Sequence, residues 1–230
     1  METAIQNSAT IGVVISLLAY GLGVVLKKKL KLAIFNPLLI SILLVIVFLL
    51  VFGVSYDSYN QSAQYLSYLL TPATVALAIP LYKQLELLKK NLFAILIAVA
   101  AGVVSSLGSI LALSMAFQLT HAQYVTLLPK SITTAIGMGI SEELGGNVTI
   151  SVAVIIVTGV LGNMMLEPVC KLFRITNPIS KGLAAGTASH AIGTAKAMEL
   201  GEVEGAMSSL AIVVSGLITV GAASVFAMLY

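Results

Sequence analysis

Thr133-Thr134-Ala135-Ile136-Gly137 returns fifty-six residues later as Ser189-His190-Ala191-Ile192-Gly193, and Glu143-Leu144-Gly145 returns at the same offset as Glu199-Leu200-Gly201. Each copy is polar and rich in small residues, and each is followed by a long apolar run. In a chain built for lipid, paired interrupted segments of this kind are the best pointer in the sequence to the substrate site of a transporter.

The lipid setting follows from composition. Of 230 residues, 59% are hydrophobic and 9% are charged, against about 25% charged in an ordinary soluble domain. The apolar runs are continuous rather than alternating, so they read as helices and not as barrel strands. The fold expected is an all-α polytopic membrane protein forming a single membrane domain over 1–230. Within it, 1–119 supplies scaffold spans and 128–230 supplies two similar units, each a re-entrant or broken segment followed by a span. Full spans are expected at 10–26, 37–54, 65–82, 91–119, 147–166 and 205–229. Pro37 suits the first turn of its helix, where a missing N–H costs nothing. Pro72 and Pro80 interrupt the third span and predict a bent or broken helix there. Between the second and third spans, Tyr56, Tyr59, Tyr65 and Tyr68 have the character of an interfacial link.

The segments 128–141 and 182–199 are too short and too polar for ordinary crossings. The positive-inside rule suggests what they do instead. Lys27, Lys28, Lys29 and Lys31 follow the first apolar run, the reverse of a signal peptide; they place the N-terminus outside and the lysines in the cytoplasm. Lys83, Lys89 and Lys90 lie two crossings later. The loop with Lys171, Arg174 and Lys181 stays cytoplasmic if 128–141 dips in and returns, whereas a full crossing there would put that loop outside. The two segments would then enter from opposite faces in an inverted arrangement. Irregular backbone at membrane depth must be covered by protein or line a water-filled cavity, so an enclosed polar cavity is expected between their tips.

In the first segment, Leu128-Pro129-Lys130-Ser131-Ile132-Thr133-Thr134-Ala135-Ile136-Gly137, Pro129 is expected to open a half-helix, with a second break at Gly137. The free N–H groups of an opening turn attract anions, and Lys130, Ser131, Thr133 and Thr134 add donors beside them. The second segment runs Gly182-Leu183-Ala184-Ala185-Gly186-Thr187-Ala188-Ser189-His190-Ala191-Ile192-Gly193-Thr194-Ala195-Lys196. Its breaks are expected at Gly186 and Gly193. Its polar candidates for substrate contact are Ser189, His190, Thr194 and Lys196. His190 is also the candidate for proton coupling, because an unperturbed imidazole titrates near neutral pH. A structural histidine, hydrogen-bonded in place, is the competing reading. Glu143 and Glu199 occupy matching repeat positions and could cap or pair with Lys130 or Lys196.

Other chemistry is poorly supported. Cys170 stands alone, which excludes an internal disulfide and a multi-cysteine metal site, and no other residues have metal-ligand spacing. No P-loop, zinc-protease or nucleophile-elbow pattern is present, so neither an enzyme nor a resident cofactor is expected. No basic aromatic surface points to nucleic acid. Glycine- and alanine-rich faces suit a homodimer.

Pro129-Lys130-Ser131-Ile132-Thr133-Thr134, the string from Gly182 to Ala195, and Glu204-Gly205-Ala206 together resemble the bacterial LrgB/CidB family. Where that family often has proline, this chain has Ala135, which softens the first break without removing Pro129. The resemblance implies one of two functions. One is an antiholin- or holin-like regulator of murein hydrolase export and autolysis, acting with an LrgA/CidA-type membrane partner. The other is a carrier of small monocarboxylates such as pyruvate; a plastid relative moves glycolate and glycerate. Both imply a multi-pass protein of the bacterial inner (cytoplasmic) membrane. A cationic, hydroxyl-lined site agrees with the second.

Overall fold

The computed structural model describes residues 8, 10–30, 35–69, 72, 75–76 and 78–230. Every regular element among them is helical, and the chain divides into two compact units, 1–76 and 77–230. Among the described residues, four helices are long and apolar enough to cross a bilayer, which makes this a multi-pass membrane protein.

The first unit holds α1 (Ile11–Leu30), α2 (Pro37–Phe52) and α3 (Tyr56–Ala63), followed by a 3-10 turn at Gln64–Leu69. Asn36 caps α2 by accepting from the N–H groups of Leu38 and Leu39, with Pro37 in the first turn as expected. The helix ends on Gly53 in the left-handed region, φ 60°, where glycine escapes the steric penalty of a side chain. At 16 residues α2 reaches only about 24 Å, shorter than a usual crossing. The tyrosine link is helical: Tyr56 and Tyr59 lie in α3, and Tyr65 and Tyr68 in the 3-10 turn. The Tyr59 hydroxyl meets Ser16 Oγ on α1 at 2.6 Å, while Ser62 Oγ accepts from Gly12 N–H at 2.8 Å.

The third expected span, 65–82, falls partly outside the described residues. What is described there is the 3-10 turn and the short helix α4 (Ala78–Lys83), which contains Pro80. Pro72 is described singly as an exposed helical residue. Among the described residues, four of the six expected spans reach crossing length, as α1 and the three long helices of the second unit, and α2 is a shorter apolar helix.

The second unit continues with α5 (Leu85–Lys90), α6 (Leu92–Phe117), α7 (His121–Leu127), α8 (Thr134–Glu143), α9 (Val148–Leu172), α10 (Pro178–Leu200) and α11 (Glu202–Ala227). On α6, Ile95, Val99, Val103, Leu107 and Ile110 form a buried stripe at helical spacing. They pack with Tyr124, Val125, Leu128, Leu183, Met207 and Ala211. Elsewhere the surface stays apolar: Phe93 is 82% and Leu217 72% exposed, as lipid-facing side chains are.

Two helical hairpins organise this unit. In α10 the backbone leaves helical geometry at Ser189 (φ −138°, ψ 16°) and His190 (φ 42°, ψ −139°). Before this corner, Gly182 abuts Glu204 O and Met207, and Gly186 abuts Ser208 O and Ala211, so that half runs parallel to α11. After it, Thr194 Oγ1 meets Ser208 Oγ at 2.7 Å and Met198 packs on Gly205, so the second half runs antiparallel. The expected breaks at Gly186 and Gly193 are thus corrected to Ser189–His190. Both glycines are helical, and a Cβ on Gly186 would strike the backbone of α11; their lack of a side chain serves close packing.

The other hairpin is α7, a turn at 128–133, and α8. Thr120 caps α7 through a reciprocal capping box with Gln123. The half-helix expected to open at Pro129 opens instead at Thr133 and Thr134, Thr133 being the extended N-cap residue of α8. Gly137 is likewise no break but a buried position inside α8. The matching glycines of the two look-alike stretches share one contact. A Cβ on Gly137 would lie 3.5 Å from Pro129 O, and one on Gly193 2.5 Å from Ala185 O; each glycine meets the carbonyl of the residue eight positions earlier.

Candidate functional site

The hairpins share α9 as a common rail. Ser151 Oγ, early in α9, donates to Thr126 O and meets Ser141 Oγ of the first hairpin, both at 2.7 Å. Later in α9, Asn163 Nδ2 donates to Ile192 O at 2.8 Å, and Glu167 pairs with Lys196 at 2.6 Å. Between these, Ile155 touches Gly137 through its side chain and His190 Nε2 through its carbonyl, at 3.0 Å. The hairpins therefore approach from opposite ends of α9, and their turns come together near its middle. Gly159 and Gly162 make room there: a Cβ on either would strike the His190 ring or the Ser189 side chain.

Beside these turns lies a cavity of about 490 Å³. One wall is α6, through Gly102, Ser105, Ser106 and Ser109. The turn between α7 and α8 adds Lys130 and Ser131, and the first half of α10 adds Ser180, Ala184, Thr187 and Ala188. Lys130 Nζ donates to Ser131 Oγ at 3.0 Å and Ser106 Oγ at 3.1 Å, and the two hydroxyls are 3.1 Å apart. Two of its three N–H donors are so used. Among the described residues no ion pair to Lys130 is found. An ammonium among apolar helices without a carboxylate is costly, and a bound anion would remove that cost. The pocket is large enough for a molecule of a few heavy atoms with its water.

The expected residues divide between this wall and other duties. Lys130 and Ser131 line the cavity. Thr133 and Thr134 sit at the start of α8, half-buried, and are not on its wall. Ser189 is buried against Gly162. His190 is 3% exposed, turned toward α9, and its Nε2–H donates to Ile155 O. Thr194 is held by His190 O at 3.0 Å and by Ser208. Lys196 lies between Glu167 and Glu199, at 2.6 and 3.1 Å; of the pairings weighed for Glu199, this is the one formed. No group of three His, Cys, Asp or Glu residues that could hold a metal occurs among the described residues.

Ser106 and Thr187 were missed. Gly102, Ser105, Ser106 and Ser109 recur at 3- and 4-residue steps within the apolar run 91–119, a polar stripe that helical periodicity would have exposed. Thr187 stood inside the quoted second segment but lay outside the repeat.

Comparison with known proteins gives the chain its relatives. The profile of the LrgB-like family matches residues 16–229. An antiholin-like protein LrgB of Bacillus subtilis (strain 168) is 41% identical over 219 residues, 95% of each chain. Proteins of the same name from Bacillus mycoides (strain KBAB4) and Bacillus cereus (strain B4264) are each 42% identical over 210 residues, 91% of each chain. No solved structure matches. With the match running nearly end to end, this chain belongs to the LrgB-like family.

Proposed function

We propose that this protein carries small monocarboxylates, of the pyruvate, glycolate and glycerate type, across the bacterial cytoplasmic (inner) membrane. The observation that carries the reading is Lys130, an ammonium held by Ser106 and Ser131 on the wall of a cavity of about 490 Å³ between the α7–α8 turn, α6 and the first half of α10. A carboxylate would take the remaining ammonium donor and the serine hydroxyls, gaining charge-assisted hydrogen bonds in a medium of low dielectric. Two hairpins entering from opposite leaflets, with their turns at the midplane, provide a natural frame for alternating access. In this scheme His190 is a positioning residue that fixes the α10 corner against α9. The test is saturable uptake of labelled pyruvate or glycolate by proteoliposomes of the purified protein. Lys130→Met should lower uptake at limiting substrate by about 10- to 100-fold, the loss of one charge-assisted hydrogen bond. A Lys130→Met protein with wild-type uptake would remove the site.

A second reading is favoured by the name of the relatives described above, antiholin-like protein LrgB. On that reading the protein restrains murein hydrolase export and autolysis with an LrgA/CidA-type partner, and the names speak for it more directly than for transport. Non-saturating dye leakage through a protein–partner assembly, without substrate competition, would favour it.

A further inference from the structure

We infer that Thr187 is a specificity-determining residue of this cavity, its hydroxyl reading the second polar group of the bound acid, next to the carboxylate. The inference rests on the carboxylate reading above. Thr187 is 8% exposed, and its Oγ1 has no hydrogen-bond partner among the described residues. Helical hydroxyls usually escape this by bonding the carbonyl four residues earlier. Ser16, Thr126, Thr194 and Ser209 all do so here. Thr187 does not. It lines both the large cavity and a small void of about 10 Å³ shared with Ser106, Ser131 and Thr219. Its methyl group packs where a Cβ of Gly102 would stand, which ties the residue to the α6 wall. Among the described residues the other unpartnered buried hydroxyl, Ser114 Oγ, is on neither wall.

A buried hydroxyl without a partner disfavours the empty state, and a ligand that draws Oγ1 onto the cavity wall by a turn about χ1, completing its hydrogen bond, is preferred over one that cannot. With Lys130 on the carboxylate, Thr187 would favour acids bearing a 2-oxo or 2-hydroxy group over plain ones. Pyruvate and propionate isolate that difference, and Thr187→Val removes the hydroxyl at constant shape while Thr187→Ser keeps it. Equilibrium binding of each acid to the detergent-purified full chain should show at least about a tenfold wild-type preference for pyruvate, the worth of one hydrogen bond at a charged substrate. Thr187→Val should bring the two acids within about threefold with propionate binding unchanged, and Thr187→Ser should retain the preference. An unchanged preference in Thr187→Val, or none in the wild type, overturns the inference while leaving a carboxylate site at Lys130. Should valine not fold, Thr187→Ala is read by the same ratio. Preferential binding that needs Thr187 but comes without proteoliposome uptake supports the inference and removes the carrier reading. A wild type that binds neither acid overturns both.

Discussion

His190 sits where a helix turns back on itself, and the energetics of that corner can be tested by replacing one residue in two ways. Its φ of 42° and ψ of −139° lie in a region where a Cβ is strained, at a cost of about 1–3 kcal/mol. The protein recovers part of that through the Nε2–H bond to Ile155 O, worth about 0.5–1.5 kcal/mol. It also gains from packing the ring against Gly159. His190→Ala loses the bond and the packing and keeps the strain. His190→Gly loses the same contacts but releases the strain, at a cost of about 0.5–1 kcal/mol for the more flexible unfolded chain. Glycine should therefore be the more stable replacement by about 1–2 kcal/mol, the reverse of their order inside an ordinary helix, where alanine wins by about 1 kcal/mol. Thermal unfolding of the detergent-purified variants by circular dichroism should place His190→Gly above His190→Ala by roughly 2–8 °C. Alanine equal to or above glycine would mean that residue 190 is helical and that α10 does not fold back there.

Other outcomes follow from the same geometry. Gly186→Ala, which puts a Cβ against Ser208 O, should cost about 1–3 kcal/mol, while Gly139→Ala, with nothing within 4 Å, should be neutral or gain up to about 1 kcal/mol; similar melting temperatures for the pair would contradict the α10–α11 packing. Breaking the Lys196–Glu167 pair, whose lysine side chain is only 14% exposed, by Lys196→Gln should cost about 1–3 kcal/mol, and a double-mutant cycle with Glu167→Gln should return a favourable coupling; additive effects would show the pair contributes nothing. His190→Gln should leave the pH profile of carboxylate uptake where the wild type has it, because this ring is off the cavity wall; a flattened profile would restore the proton-coupling role. In a Cys170→Ala background, cysteines at Glu142 and Glu202 should react with an impermeant thiol reagent from opposite sides of the membrane, the first from outside; labelling from one side would remove the inverted arrangement.

Two residues of the candidate cavity wall were legible in the sequence. Lys130 and Ser131 stood out because a lysine and a hydroxyl next to a proline in an apolar chain need a polar surrounding, and the cavity supplies it. The look-alike segments announced two chain reversals, since short polar stretches between apolar runs cannot cross lipid unaided. The exact corner was not legible. Glycine is the usual breaker, so Gly186 and Gly193 were the natural choices, yet both are spent on close approach to Ser208 O and Ala185 O. The strained turn fell to His190, whose side chain has a partner on α9 to hold it there.

Composition by itself determined the membrane class, the strings Pro129–Thr134 and Gly182–Ala195 carried the family resemblance, and the repeated segments marked two chain reversals, because each depends on local chemistry that a linear chain carries. Which polar group faces which was decided only by tertiary packing. Helical periodicity puts Ser106, Lys130, Thr187 and His190 on faces, but whether a face meets a cavity or a neighbouring carbonyl depends on how distant helices dock. Here α6 and the first half of α10 leave space around Lys130 and Thr187, while α9 closes over His190. The one ionisable side chain is thereby left open to a ligand and the other committed to holding the fold.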